Sequence, residues 1–151
     1  MGFKGLNIIS AFRGDYRFLS NFYISSFSFH WVDGNSYSVD TVEHAYQACK
    51  ATNDSDFYYV QSSPTAAISK TRGQEIKCRY DWDDVKFKVM YQLLKKKFDN
   101  PYMKNKLIET GDAILIEGND WGDEEWGMIQ GSWGNNKLGK LLMQVRKELL
   151  L

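Results

Sequence analysis

Four side chains in one short stretch have the types and the spacing to act together. Glu43, Tyr46, Gln47 and Lys50 fall at i, i+3, i+4 and i+7, which on an α-helix lines them along one face. Glu43 and Lys50 then differ by about 20° around the axis and lie roughly 10 Å apart along it. Helical side chains lean toward the helix N-terminus, so Lys50 leans back toward Glu43. An acid and an amine so arranged can face one ligand. The same residues have a second reading. Asp40-Thr41-Val42-Glu43 has the spacing of a capping box, in which Glu43 reaches back to the helix start and Lys50 is a solvated surface lysine.

A second concentration of chemistry is the run Asp120-Trp121-Gly122-Asp123-Glu124-Glu125-Trp126. Indoles exclude water and raise the pKa of a neighbouring carboxyl. A carboxylate beside a stacked base can stabilise an oxocarbenium-like transition state. The competing reading is an acidic solvated loop, with Trp126 and Trp133 anchoring it to the core. Phosphate has two candidate holders, Arg13-Gly14 and the cluster Lys70, Arg72, Lys77 and Arg79. Either also reads as solvated surface. His44 lies away from the Glu43 face and His30 lies in a strand pattern, so no metal is expected. No Ser or Cys nucleophile motif and no P-loop is present.

These residues need elements to position them. Phe27, Phe29 and Trp31 alternate with Ser28 and His30, the period of a half-buried strand. Asp33-Gly34 then signals a hairpin turn, with Asn35 to Val39 returning. A helix starts near Asp40, with Val42, Ala45 and Cys49 on its apolar face. A second helix is expected over Asp81 to Phe98, where Phe87, Met90, Tyr91, Leu94 and Phe98 form the stripe and lysines take the other face. Asn100-Pro101 starts a third helix that stops at Gly111. Ala113 to Glu117 reads as a short buried strand. Gly118 to Gly134 is too rich in Gly for a helix. Leu138, Leu141, Leu142, Val145 and Leu149 mark a C-terminal helix. The fold class expected is a mainly helical, compact single domain over residues 1–151 with a small antiparallel β element.

Composition narrows the function classes. Lys plus Arg is 19 and Asp plus Glu is 19. This balance disfavours a protein that lives on non-specific phosphate contacts. Aromatic residues are 15% of the chain, enough to fill a core and also to line a site that stacks a nucleobase. Two cysteines, Cys49 and Cys78, are too few for a disulfide framework or a four-thiolate zinc site. The start of the chain lacks the apolar run of a secretory signal, and no stretch is long and apolar enough to span a membrane. A cytoplasmic monomer without a cofactor is expected.

Several segments, taken in order, resemble the NADAR or YbiA-like family. They are Phe18 to Tyr23; Thr41 to Lys50; Asp81-Trp82 with Lys86 and Val89-Met90; Thr110-Gly111 and Leu115-Ile116-Glu117; Asp123 through Trp126-Gly127; and Asn136 to Met143. The resemblance runs from about Ile8 to Leu149. It implies a helical fold and N-glycosidase activity on the bond between a ribose anomeric carbon and a nitrogen. The implied substrates are phosphoribosylamino-pyrimidine intermediates of early riboflavin synthesis, or ADP-ribose attached to a nucleobase such as guanine, in a nucleotide or in nucleic acid. It makes Glu43, Lys50 and Asp123 the expected catalytic residues. Trp82 and Trp126 become ligand contacts, with Arg13, Gly14, Asn21, Phe22, Tyr46 and Gly127 adding to the binding site. Gln74 stands where the family usually has Arg, so Arg72 is the candidate replacement for a phosphate contact. Lys50 has two possible roles, a cation that orients Glu43 and the sugar, or an amine that forms a Schiff base with an opened sugar. A non-catalytic module binding ADP-ribose or NAD is the alternative. The two carboxylates argue against it, because binding a phosphorylated nucleotide gains nothing from added anions.

Overall fold

The computed structural model describes residues 7–119, 121–129 and 134–151. The N-terminal residues, Asp120 and Trp133, on which the sequence reading drew, lie outside the described residues. Helices dominate, and the strands described form three two-stranded ladders. The chain divides into two compact units, Asn21–Asp99 and the segments Met1–Ser20 with Asn100–Leu151.

The unit Asn21–Asp99 begins with a hairpin. Strands β2 (Phe27–His30) and β3 (Ser36–Val39) pair antiparallel, with Phe29 opposite Tyr37. Gly34 turns the chain at φ +82°, a conformation that favours a residue without Cβ. Phe29 is buried, and Trp31 stacks on Phe57 with centroids 4.2 Å apart. Helix α1 (Val42–Ala48) follows, then α2 (Asp54–Gln61), α3 (Ala66–Glu75) and α4 (Trp82–Lys97). The sequence reading had not marked α2 and α3. Each is started by a side-chain cap: Asn53 accepts from the Asp56 N–H and Thr65 from the Ile68 N–H. Their buried positions explain the omission. In α3 these are Ala66, Ser69 and Gly73, small residues that leave no apolar stripe to read.

The other unit opens with β1 (Ile8–Ile9), which pairs in parallel with β4 (Ile114–Leu115). Helix α5 (Pro101–Glu109) is capped by Asn100, whose Oδ1 accepts from the N–H groups of Tyr102 and Met103. Strands β5 (Gly118–Asn119) and β6 (Met128–Ile129) also pair in parallel. Helix α6 (Lys137–Leu149) closes the chain. Arg146 is buried and donates to Thr110 Oγ1 and the Ala113 carbonyl, each at 2.8 Å, tying α6 to the turn after α5. Asn136 enters α6 at φ 50°, donates to the Leu115 carbonyl and accepts from the Glu117 N–H. A Cβ on Gly139 would lie 2.1 Å from the Leu115 carbonyl oxygen, so this contact requires glycine.

The expected boundaries of α4, α5 and α6 are close to those observed. One part of the α4 pattern is corrected. Its lysines do not all take the outer face, because Lys97 is 1% exposed. Its ammonium lies 5.9 Å from the Tyr23 ring centroid and 5.2 Å from that of Phe98. Burial pushes its pKa down to about 7 from the ordinary 10.5. Between those values the unfolded chain binds the proton more tightly than the folded one, so stability rises with pH across that window. Below about pH 7 the full cost of burying the charge applies. Lys97→Met should therefore stabilise the protein at pH 7 by about 1–4 kcal/mol and flatten this rise. Urea denaturation at pH 7 and pH 9 measures both. A destabilised variant with the rise intact would contradict this account.

Candidate active site

Helix α1 is started by Thr41, whose Oγ1 accepts from the His44 N–H at 3.1 Å. The Asp40 carboxylate accepts instead from Ser26 Oγ. The capping-box reading with Asp40 at the cap is therefore corrected: Thr41 is the cap, and Glu43 is not its third helical residue. His44 takes that position and hydrogen-bonds to Thr41 Oγ1 at 2.7 Å and to the Ser63 carbonyl at 2.9 Å, a structural role.

Glu43 is buried in the first turn of α1. Its N–H donates to the Asn21 carbonyl at 3.1 Å, and its carboxylate accepts from Gln47 Nε2 at 2.7 Å. Gln47 in turn lies against Gly73 of α3. A Cβ at Gly73 would sit 2.1 Å from Gln47 Oε1. That buried oxygen, and the buried Asn21 Oδ1, have no hydrogen-bond partner. Asn21 Nδ2 reaches only the Met90 sulfur, at 3.5 Å. Gln47 Oε1 faces Gly73, so the orphaned Asn21 Oδ1 is the acceptor that favours a ligand able to donate a hydrogen bond. Phe22, beside Asn21, is 43% exposed.

Helix α1 ends at Ala48, with Cys49 as its C-cap, so Lys50 lies beyond the helix rather than on its face as expected. The chain tightens there. Lys50 N–H bonds to the Gln47 carbonyl and Ala51 N–H to the Ala48 carbonyl, both i to i+3. The Arg79 N–H then donates to the Lys50 carbonyl at 2.8 Å and fixes the turn. Lys50 Nζ lies 5.9 Å from the centroid of the buried Tyr46 ring, which packs on Trp82 at 5.0 Å and 55°. Burial holds the Lys50 pKa below its ordinary value. Cys78 and Glu43 oppose that shift, and Lys70 and Lys86 reinforce it. Lys50 therefore feels the Glu43 charge from a turn beyond the helix end, and not from the shared helical face that the spacing predicted. Cys49 is buried, and its thiol pKa is pushed up to about 12.

The basic cluster is divided by the fold. Arg72 donates to the Tyr59 carbonyl and stacks over the Tyr59 ring at 4.5 Å, which engages the candidate replacement for a phosphate contact near the exposed Gln74. Arg79 makes two bonds to Asp81, at 2.6 and 2.8 Å. Lys70 and Lys77 remain exposed.

Arg13, Gly14, Asp123, Trp126 and Gly127 belong to the other unit. Arg13 precedes a 3-10 turn (Gly14–Leu19), and Gly14 adopts φ +57°. Asp123 Oδ1 accepts from the N–H groups of Glu125 and Trp126, at 3.1 and 3.0 Å. Its backbone is gripped by Asn119, which accepts from the Asp123 N–H and donates to the Asp123 carbonyl. Trp126 is half-buried, and its carbonyl accepts from Leu138 N–H at the start of α6. Gly127 leaves no room for a side chain, since a Cβ would lie 2.2 Å from the Glu117 carbonyl oxygen. Asp123 therefore shapes its own loop, a role that spacing alone did not reveal.

Gly73 was not among the expected site residues, and Gln47 was named for its helical face but given no role. Gln47 was legible from its place on the Glu43 face, whereas Gly73 carries no local signal. Gly73→Ala should destabilise the protein by about 1–3 kcal/mol through overpacking. Gln47→Ala in the same chain should relieve most of that loss, a coupling expected of touching residues. Thermal denaturation of both singles and the double gives the cycle, and strictly additive losses would refute the contact.

The sequence matches the family described as the NADAR domain over residues 11–150. It is 35% identical over 131 residues to N-glycosidase Npun_R5314 of Nostoc punctiforme, covering 83% of each chain. It is 36% identical over 159 residues to the chloroplastic riboflavin biosynthesis protein PYRR of Zea mays, covering 95% of this chain and 25% of that one. Its structure aligns with the NMR structure of the E. coli protein YbiA at a TM-score of 0.81 and 29% identity, over 95% of this chain and 85% of that one. A helical fold like that of YbiA, a domain match across almost the whole sequence and N-glycosidase relatives together make this chain an N-glycosidase of the NADAR family.

Proposed function

We propose that this enzyme hydrolyses the N-glycosidic bond between a phosphorylated ribose and a base or amine nitrogen, with the Lys50 amine as nucleophile and Glu43 as its proton-handling partner. The substrate class is ADP-ribosylated guanine or a phosphoribosylamino intermediate of early riboflavin synthesis; the likeness to a plant riboflavin biosynthesis protein supports the second. The observation that carries the reading is the setting of Lys50. Its amine is half-buried beside Tyr46, is held below the ordinary lysine pKa by burial, and interacts electrostatically with Glu43, Lys70 and Lys86. A lysine so placed holds a larger share of neutral amine than an ordinary solvated lysine does, and the neighbouring cations favour an anionic substrate.

In this mechanism the neutral amine attacks the anomeric carbon. The bond to the base breaks with its electron pair passing to the base nitrogen, and Glu43 relays the amine proton to it. The sugar attached to Lys50 opens to an imine, and water hydrolyses the imine to release the phosphorylated ribose and restore the amine. Tyr46 and Trp82 wall the sugar or base. Asn21 offers an acceptor to its donors, and Phe22 adds an apolar contact. Asp123, in the other unit, is the second carboxylate that the family resemblance makes catalytic.

Incubation with ADP-ribosylated guanosine, followed chromatographically, should release free guanine. Binding without release would identify a binding module instead. Lys50→Ala should abolish turnover and change stability by less than about 1 kcal/mol. Borohydride added with substrate should fix a sugar on the Lys50 peptide, visible by mass spectrometry. Fast turnover without trapping would replace this route by direct attack of water. The rise of kcat/KM with pH should have its midpoint below 10.5, the ordinary lysine value, because deprotonation activates the amine.

Asp123→Asn retains an Oδ1 that can accept from Glu125 and Trp126, so the loop should survive and the charge alone is lost. The turnover rate should fall by about 100-fold or more, with calorimetric affinity for ADP-ribose little changed. Equal losses of affinity and kcat/KM at constant kcat would make Asp123 a binding residue.

A further inference from the structure

The unit Asn21–Asp99 holds a groove lined by none of the residues given a part in the reaction. It lies where β2 and its following turn meet α4, and its volume is about 340 Å³. That is within the range of small-molecule pockets, roughly 300–1,000 Å³. Phe29 and Trp31 line it from alternate positions, the side-chain period of a strand. Val89 and Leu93 line it from α4, one helical turn apart. The aromatic wall is preformed, because Trp31 is buried and stacked on Phe57.

The charges around this apolar surface have one sign. Lys88 and Lys96 line the groove two turns apart on α4, and both are exposed. Their Cα atoms are roughly 12 Å apart along the axis, a span that two extended lysine side chains can close around one anionic group. Arg79 also lines the groove, but its guanidinium is held by Asp81. No described lining residue is Asp or Glu. An apolar aromatic wall beside two cations, with no carboxylate, complements a planar ring that carries an anion. An extended polyanion fits less well, because the chain has a formal charge of +0 and the groove holds little more than one nucleotide.

We propose that this groove is a second ligand site, which takes a small planar aromatic anion of the size of a nucleoside monophosphate. The ring lies against Phe29, Trp31, Val89 and Leu93, and Lys88 and Lys96 hold the anionic group. The site is independent of the proposed hydrolysis.

The test is a 15N NMR titration of the full chain with adenosine 5′-monophosphate. Amide shifts should move within residues 29–32 and 88–96. Adenosine, which lacks the charge, and ribose 5-phosphate, which lacks the ring, should each bind at least about tenfold more weakly. The double substitution Lys88→Glu, Lys96→Glu should lower the affinity read at those amides by about tenfold or more and leave N-glycoside hydrolysis unchanged. Shifts confined to residues 43–47, Lys50 and Trp82 would place the nucleotide in the proposed active site alone and overturn the proposal. So would full affinity in the charge-reversed variant, or equal binding of ribose 5-phosphate. The readout is binding at α4, so failure of the proposed hydrolysis would leave this test standing.

Discussion

The arrangement around Glu43 depends on the absence of one carbon atom. Gly73 has no Cβ where the Gln47 amide needs space, and so α3 approaches α1 closely enough to cover that amide. Gln47, held in the gap, donates to the Glu43 carboxylate. Glu43 is thereby buried with a hydrogen-bond donor built in, which is the condition for keeping a carboxylate inside a protein. The same close packing leaves Gln47 Oε1 without a donor.

Two lysines of this unit are depressed by burial, and their surroundings separate them. Lys97 is fully covered, and burial is the one cause that lowers its pKa. Lys50 is partly covered, and the acidic groups Glu43 and Cys78 oppose its shift while Lys70 and Lys86 add to it. An amine used in chemistry must exchange protons and reach a substrate, and half-burial permits both. Complete burial permits neither without opening the fold. This difference makes Lys50 the reactive candidate and Lys97 a cost to stability.

In the other unit the acidic, indole-bearing loop is shaped by its own polar groups. Asn119 holds both backbone groups of Asp123, and Asp123 caps the next turn. The following carbonyls of Trp126 and Gly127 accept from the N–H groups that begin α6. A loop with many glycines thus gains a defined path, because side-chain amides and one carboxylate take over the pairing that a strand would supply. The Asn136 and Gly139 pair, part of the family resemblance, is explained in the same way: both serve the contact with Leu115.

Local pattern by itself determined the elements whose signals are short-range. Alternating Phe27, Phe29 and Trp31 before Asp33-Gly34 specified the hairpin, Asn100-Pro101 specified the start of α5, and the leucine stripe specified α6. The ordered motifs specified the family. Helices α2 and α3 escaped because they bury few large apolar residues, although their caps, Asn53 and Thr65, were present to be read. Tertiary structure alone decided the rest. Spacing treated Lys50 as the end of a helical face, but the helix stops at Ala48 and a tight turn, pinned by the Arg79 N–H, sets where the amine lies. It sent Arg72 to Tyr59 and covered Lys97. A charged residue has the same letter in the sequence whether it is solvated, paired or buried. Only the approach of other elements removes the water around it and chooses its partner.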